Sequence, residues 1–182
     1  MRVYLAGPDV FLPDPLKMAK AKKEICQKYG FEGVFPFDSS LDLTNLKPRE
    51  AGIEIYKCNL NLMNHCDLII ANMTPFRSPS LDAGTAFEIG YMTALGKPIF
   101  GYSNDGQLYG ERVTNKASET LDNRGMFIEQ FEMMENLMLE GSILQSGGSV
   151  VYETVEPQYY YTELRVFEKV VKIAAQKLLK LK

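Results

Sequence analysis

Two acidic residues stand out in the segment SPSLDAGTAFEIGY, which covers residues 78–91. Asp82 and Glu88 are six residues apart, and their surroundings are otherwise small or apolar. An Ala or a Leu would pack between Phe87 and Ile89 at a lower free-energy cost than a carboxylate, because a charge loses its hydration in apolar surroundings. The position therefore indicates that Glu88 serves chemistry. The alternative is that Glu88 is a surface acid on the outer face of a helix.

The other candidates for chemistry are carboxylates, amides and one tyrosine. Asp82 follows the turn-like run Ser78-Pro79-Ser80, where a helix N-cap is the commonest role of an aspartate. Tyr4 lies in an apolar run and is expected in the core, where its hydroxyl still needs an acceptor. The remaining candidates are Asp9, Asp14, Asp38, Asn59, Asp67, Asn72 and Asn136.

Several functional classes lack their usual sequence signals. The first strand-like run is followed by AGPDVF rather than GxGxxG, and no GxxxxGK[ST] occurs, so the dinucleotide-binding and P-loop classes lose their best support. His65 is the only histidine, which excludes a multi-histidine metal site. The net charge of −3 and the absence of a basic block argue against nucleic acid as a partner.

Length and cysteine usage indicate the setting in which the chain works. The 182 residues suit one core, and we expect a single domain over residues 1–182. The odd number of cysteines, without CxxC spacing, is typical of reduced thiols in a cytoplasmic protein. Met1 leads directly into a strand, so no signal peptide is expected, and no apolar run is long enough to cross a bilayer.

Strands and helices are predicted to alternate along the chain. The predicted strands cover residues 2–6, 33–37, 67–73 and 97–102, with a weak one at 149–152. The predicted helices cover residues 14–29, 48–65, 82–95, 127–140 and 162–181, and a mobile loop is expected at 103–125. This order predicts an α/β fold with a doubly wound (flavodoxin-like or Rossmann-like) parallel sheet and helices on both faces. Ligands bind such sheets at the carboxyl ends of the strands, here the loops after Ala6, Phe37, Met73 and Tyr102.

Three segments resemble the nucleoside 2-deoxyribosyltransferase family. They are VYLAGPDVF at the N-terminus, CDLIIANMTPFRSPSLDAGTAFEIGYMTALGKPIFGY in the middle and ENLML around Asn136. The middle motif is specific, because it joins an aspartate to a helical glutamate six positions later through small residues. The resemblance covers residues 2–102 and the region around Asn136. It implies a homo-oligomer with shared active sites, no metal and no organic cofactor, and an interface role for the Met-rich segment 127–140.

The resemblance also implies roles for individual residues. Glu88 matches the nucleophilic glutamate, and Asp82 matches an aspartate beside the base that is implicated in proton transfer to it. Tyr4 matches a tyrosine that hydrogen-bonds the nucleophile and holds its rotamer. Asn136 matches an asparagine that reaches the sugar 5′-hydroxyl from a neighbouring subunit. Asn59 falls where some members carry an aspartate that contacts the 3′-hydroxyl, and an amide can still make that hydrogen bond but brings no charge.

The substrates implied are a 2′-deoxynucleoside and a free nucleobase. We expect the substrate pocket to draw on Gly7, Phe11, Asp38 and the 103–125 loop. In this chemistry a carboxylate traps C1′ as an ester and a second acid protonates the departing base, the retaining arrangement in which the two carboxyl groups lie about 5 Å apart. Slow hydrolysis is expected when no acceptor base is present.

Two alternatives remain open. A 2′-deoxynucleoside 5′-monophosphate N-glycosidase has the same fold and a similar middle motif, but it carries a phosphate-binding serine where Asp82 stands. A negative Asp82 should repel a 5′-phosphate, which favours free nucleosides. The other alternative is a non-catalytic nucleotide-binding module, and the presence of both Asp82 and Glu88 argues against it, although fold alone does not determine function.

Overall fold

A parallel five-stranded sheet forms the centre of the protein in the computed structural model, which describes residues 1–38, 41–114 and 120–180. The strands are β1 (Arg2–Ala6), β2 (Glu32–Val34), β3 (Leu68–Asn72), β4 (Ile99–Ser103) and β5 (Val150–Tyr152), and their spatial order is β2-β1-β3-β4-β5. Every neighbouring pair is parallel. This is the flavodoxin-like order, and the predicted doubly wound α/β fold is confirmed.

The described part of the chain contains six α-helices, five of which (all but α4) contribute to the cores on the two faces of the sheet. They are α1 (Pro15–Lys28), α2 (Pro48–Asn64), α3 (Ala83–Ala94), α4 (Tyr109–Val113), α5 (Leu137–Gln145) and α6 (Arg165–Leu178). Because side chains alternate along a strand, Val3 and Leu5 join one core with α1 and α6. Tyr4 and Ala6 join the other core with α2, α3 and α5. The side chain of Tyr4 therefore points toward the helix that carries Glu88.

The Met-rich segment does not form the helix predicted for residues 127–140. Residues 126–136 are irregular, and α5 begins only at Leu137. The backbone of this segment pairs with other parts of the chain, for example the Ile128 amide with the Thr120 carbonyl and the Tyr109 amide with the Met133 carbonyl. Asn136 is the N-cap of α5, since its side chain accepts from the Met138 amide, and an asparagine favours that position over a helix interior. Asn136 is therefore not part of a helical stripe.

The segment predicted as one long loop at 103–125 contains a short helix. Ser103 still belongs to β4, and α4 follows at Tyr109–Val113. Residues 115–119 lie outside the described part of the chain, and the expected mobility of the loop falls partly on them. No helix among residues 1–38, 41–114 and 120–180 is both long and apolar enough to cross a membrane.

Candidate active site

A cleft of about 360 Å³ opens at the carboxyl edge of the sheet, beside the end of β1. The chain leaves β1 toward β2 on one side and leaves β3 toward β4 on the other, so the cleft lies at the topological switch point where ligands bind such sheets. Its walls are Gly7, Val10, Phe11, Pro36, Phe37, Ile55, Asn59, Asp82, Gly84 and Glu88. Two larger cavities lie elsewhere, and each has a single acid in its wall, Asp14 in one and Glu111 in the other. Only the smaller cleft places two carboxylates together among these three.

Glu88 is held by the tyrosine expected to contact it. The Tyr4 hydroxyl donates a hydrogen bond of 2.6 Å to Glu88 Oε1. Tyr4 is fully buried in the middle of β1, so its ring is fixed by the sheet and its hydroxyl is aimed at α3. The bond occupies Oε1 and leaves Oε2 available to the cleft.

Burial raises the pKa of the Glu88 carboxyl from 4.5 to about 7. The hydrogen bond from Tyr4 opposes this shift, and the negative charge of Asp82 adds to it. The same surroundings raise the pKa of Tyr4 far above its ordinary value, mainly through burial and then through the charge of Glu88. Tyr4 is therefore a permanent donor, while Glu88 is less readily ionised than an exposed glutamate.

Asp82 reaches the cleft from the N-cap of α3. Its Oδ2 accepts from the Thr85 amide at 3.0 Å and lies 3.3 Å from Thr85 Oγ1. Both contacts use the same oxygen, so the N-cap role expected for an aspartate still leaves Oδ1 for a ligand. Gly84 is the second residue of α3, and a Cβ at that position would lie 2.9 Å from Asp82 Oδ2. The absence of a side chain at Gly84 gives the carboxylate its room.

Gly7 occupies a position that no other residue fits. Its φ is 155°, and a Cβ there would lie 2.6 Å from Asp9 Oδ2 and 2.7 Å from the Asn72 Cβ. Asp9 in turn binds Lys22 Nζ at 2.7 Å, and Lys22 also donates to the Tyr102 hydroxyl at 2.8 Å. The Asp9 and Lys22 side chains are each 2% exposed. This buried ion pair anchors the loop that forms one wall of the cleft.

Phe11 and Asn59 supply an aromatic and a polar wall. Phe11 is 56% exposed and stacks on Phe76 with a centroid separation of 5.4 Å, and the Arg77 guanidinium lies over both rings. The Asn59 Oδ1 atom is shielded from solvent and has no hydrogen-bond partner among the described residues. An unpaired buried amide oxygen in a cleft is suited to a hydroxyl donor from a ligand.

Two expected substrate-binding residues do not line this cleft. Asp38 follows the cleft residue Phe37, but its side chain binds Lys23 Nζ at 2.5 Å and the Phe35 amide at 2.8 Å. Asn136 Nδ2 donates to Glu129 Oε1 at 2.8 Å, and its Oδ1 caps α5. Within one chain, then, Gly7, Phe11, Asn59, Asp82 and Glu88 share the cleft, with Tyr4 behind them.

Several residues of the site were missed by sequence reasoning. Ile55 lies one helical turn before Asn59 on α2, and that spacing was a usable signal for a shared face. Phe37 lies in a loop already assigned to the ligand face. Asp9 was a candidate for chemistry, but its buried pairing with Lys22 gave no sequence signal, because that contact depends on the docking of α1. No group of three or more His, Cys, Asp or Glu able to hold a metal occurs in the residues that the structure covers.

Comparison with known proteins identifies relatives of the whole chain. A sequence profile of the nucleoside 2-deoxyribosyltransferase family matches residues 3–138. An uncharacterized protein of Schizosaccharomyces pombe is 34% identical, and the match covers 90% of this chain and 86% of that protein. A 2-desoxiribosyltransferase from Leishmania mexicana is 26% identical with a TM-score of 0.66, and the match covers 94% of this chain and 97% of that one.

A more distant structure shares the fold. The 2-deoxyribosyltransferase of Bacillus psychrosaccharolyticus is 18% identical with a TM-score of 0.55, over 92% of this chain and 96% of that one. The matched region of the family profile contains Tyr4, Asp82 and Glu88, so the cleft described above lies within the part of the chain that the relatives share.

Proposed function

Because the chain belongs to the nucleoside 2-deoxyribosyltransferase family, a class of glycosyl-transferring enzymes, we propose that it moves 2-deoxyribose between nucleobases through a covalent ester on Glu88. The observation that carries this proposal is the 2.6 Å bond that fixes Glu88 Oε1 on the Tyr4 hydroxyl. A surface acid has no need of a buried tyrosine partner, whereas a nucleophile has to be held in one rotamer.

In the first half-reaction Glu88 replaces the donor base. Glu88 Oε2 forms a bond to C1′ while the C1′–N bond breaks, and the bonding electrons leave with the base. Asp82, which lines the same cleft, enters this step protonated, passes its proton to the departing nitrogen and is left as a carboxylate. The raised pKa of Glu88 makes the carboxylate a stronger nucleophile than an exposed glutamate, since ionised Glu88 lacks full hydration.

In the second half-reaction an acceptor base takes the sugar. A ring nitrogen of the incoming base bonds to C1′, its proton goes to Asp82, and Glu88 leaves as a carboxylate. Water performs the same attack slowly when no base is bound, which yields free 2-deoxyribose. The two displacements give a ping-pong reaction with retention at C1′. The transfer reaction uses only Glu88, Asp82 and the two substrates, and hydrolysis uses water in addition.

The cleft offers contacts for both parts of the substrate. Phe11 and Phe37 provide faces against which a nucleobase can stack, and Gly7 lines the same cleft. Asn59 Oδ1 is suited to accept from the 3′-hydroxyl. Asp38 is assigned to the base pocket through its place beside Phe37, which requires it to exchange its Lys23 contact for the base.

Asn136 is assigned to the 5′-hydroxyl of a second subunit. Its position outside its own chain's cleft agrees with a contribution in trans, so the proposal includes a homo-oligomer with shared sites. The exposed Phe127 and Met138 on either side of it are suited to such an interface. We assign the activity to nucleoside salvage by a single domain of residues 1–182, and the three free cysteines suit the cytoplasm.

The test is incubation with deoxyinosine, with and without adenine, followed by chromatography. The proposal expects deoxyadenosine and hypoxanthine when adenine is present, and slow release of hypoxanthine and deoxyribose when it is absent. Glu88→Ala should abolish both. Activity on a 5′-monophosphate but not on the free nucleoside would favour the monophosphate N-glycosidase instead, and binding without turnover would favour the non-catalytic module.

A further inference from the structure

A buried ion pair lies behind the catalytic end of α3. Arg112 on α4 and Glu135, just before α5, approach to 3.2 Å between Nη2 and Oε2. Their side chains are 4% and 0% exposed. Neither residue lines the cleft, and the mechanism above does not use them. Because burying two charges is unfavourable unless their hydrogen bonds are satisfied, the partners of this pair show what it holds in place.

Glu135 gathers four donors from three segments. Its Oε1 accepts from the Ser80 hydroxyl at 2.7 Å and from the Asn136 amide at 3.0 Å. Its Oε2 accepts from the Leu81 amide at 3.0 Å and from Arg112. Two of these donors are backbone amides close to residues of the proposed reaction. One is the amide of Leu81, which directly precedes Asp82, and the other is the amide of Asn136 itself.

Arg112 ties the same segments together through backbone carbonyls. Its Nε donates to the Pro79 carbonyl at 2.7 Å and its Nη2 to the Met134 carbonyl at 2.6 Å. Its Nη1 donates to the Gln107 carbonyl at 3.0 Å. The guanidinium therefore binds the chain three residues before Asp82 and two residues before Asn136.

We propose that Glu135 is a positioning residue of the transfer reaction, the one carboxylate that sets both the start of α3, with Asp82, and the start of α5, with Asn136. This inference rests on the proposed function. Asp82 and Asn136 are the N-caps of two helices that pack against each other. Asp82 directly follows Leu81, whose amide binds Glu135, and Asn136 directly follows Glu135 itself. Since Asp82 serves its own cleft and Asn136 serves the neighbouring subunit's cleft, Glu135 links the geometry of two active sites.

The variant to test is Glu135→Gln, with Glu168→Gln as the matched control. Gln keeps one acceptor oxygen but turns the other position into a donor that faces the Leu81 amide and Arg112. Glu168 forms an exposed ion pair with Lys28 at 2.6 Å on α6, so it controls for the loss of a carboxylate charge outside the buried cluster. We expect Glu135→Gln to lower kcat by about 10–100-fold for correctly folded protein, with a smaller change in KM, because proton transfer depends on geometry more than binding does. Glu168→Gln should leave both unchanged.

Folding is measured alongside activity, since removing one partner of a buried pair is strongly destabilising. Near-ultraviolet circular dichroism and the amplitude of single-turnover base release give the folded, active fraction. If Glu135→Gln does not fold, Ser80→Ala removes one peripheral donor while the ion pair remains, and it should lower kcat by about 3–10-fold. A kcat per active site equal to wild type in the folded variant would overturn the proposal.

Mixed oligomers test whether Glu135 positions both Asp82 and Asn136 or only Asn136. Subunits with Asn136→Ala and subunits with Glu88→Ala should complement each other, because a shared site then combines an intact Glu88 with an intact Asn136. Glu135→Gln should not be restored by Glu88→Ala subunits, since its own Asp82 stays displaced. Full restoration would mean that Glu135 serves Asn136 alone and would overturn the proposal. Failure of the Asn136→Ala control would instead contradict the shared site, and inactive wild type would contradict the proposed function.

Discussion

Replacing Glu88 with Gln should abolish transfer and, at the same time, stabilise the protein above neutral pH. The ionised carboxylate is unfavourable in its apolar surroundings, because burial removes its hydration and raises the pKa of Glu88 from 4.5 to about 7. Glutamine has the same shape, can still accept the Tyr4 hydrogen bond through its Oε1, and carries no charge to desolvate. Function and stability should therefore move in opposite directions at this position.

The size of the effect follows from proton linkage. Below pH 4.5 Glu88 is protonated in the folded and unfolded chains alike, so wild type and variant should be similar. Between pH 4.5 and about 7 the folded chain keeps a proton that the unfolded chain has lost, so the free energy of unfolding of wild type falls as the pH rises. Above that window the penalty is constant, and the difference in pKa corresponds to up to about 3 kcal/mol.

The assay is thermal and denaturant unfolding of Glu88→Gln and wild type from pH 4 to pH 8.5, at one protein concentration. We expect the variant to gain up to roughly 5–10 °C in Tm at pH 8 and to lose this advantage toward pH 4.5. Glu168→Gln is the sign control, because the hydrogen bond from Lys28 lowers the pKa of Glu168 and the charge there is stabilising. Equal stability of wild type and Glu88→Gln at pH 8 would refute the claim that Glu88 is a desolvated carboxylate.

Three further substitutions, and Gly90→Ala as a control, probe the rest of the cleft. Gly84→Ala should lower kcat by about tenfold or more, because its Cβ would lie 2.9 Å from Asp82 Oδ2, while alanine favours the helix itself. Gly90→Ala has open space at its Cβ and should gain stability with no loss in steady-state rates. Tyr4→Phe removes the hydrogen bond that lowers the Glu88 pKa, so the acid limb of the kcat/KM profile should move to higher pH, and an unmoved limb would contradict the assignment of that limb to Glu88. Asp82→Ser should reduce transfer by about 10²–10⁴-fold and improve the binding of deoxyguanosine 5′-monophosphate over deoxyguanosine in paired titrations, whereas a wild type that already prefers the monophosphate would show that Asp82 does not select the substrate.

Substrate preference offers a test that needs no variant. The cationic transition state is destabilised by a 2′-hydroxyl, so deoxyinosine should react much faster than inosine in side-by-side initial-rate measurements. Equal rates on the two nucleosides would contradict the proposed transition state.

The parts of the fold that the sequence predicts well are those where local chemistry and tertiary packing agree. Strands β3 and β4 are buried along their whole length and β1 from Val3 onward, and the Pro residues at the starts of α1 and α2 mark helix starts correctly. Asp82 follows the same rule, because an N-cap preference is a property of the residue and its immediate neighbours.

The helix predicted over the Met-rich segment was wrong because the conformation of this segment is decided by distant partners. Residues 127–140 have the composition of a helix, but Glu135 is drawn into the buried cluster with Arg112 and Ser80, and Glu132 adopts a φ of 55°. These contacts join residues far apart in sequence, which periodicity does not reveal. The available local signal was Asn136 followed by Glu140, an N-cap and an acid in the first helical turn, and it marks the true start of α5.

The candidate site shows the same division. Glu88 was identifiable because an acid among apolar residues is locally anomalous. Tyr4 was linked to Glu88 only through the family resemblance, since its own context shows no more than that a buried hydroxyl needs an acceptor. The ion pair of Asp9 with Lys22 was not identifiable, since nothing in the sequence links the candidate Asp9 to a lysine on the next helix. Whether Asp38 and Asn136 contact substrate stays a prediction that depends on the bound state and on a second subunit.

The most direct test of the account is to look for the sugar on Glu88. Wild-type protein is mixed with a 2′-deoxynucleoside without acceptor base, quenched in acid within one turnover and analysed by intact-mass and peptide mass spectrometry. The account predicts a mass increase of one deoxyribosyl group on the peptide containing Glu88, its disappearance on addition of an acceptor base, and no adduct in Glu88→Gln. Efficient transfer with no adduct, or an adduct on another residue, would contradict it.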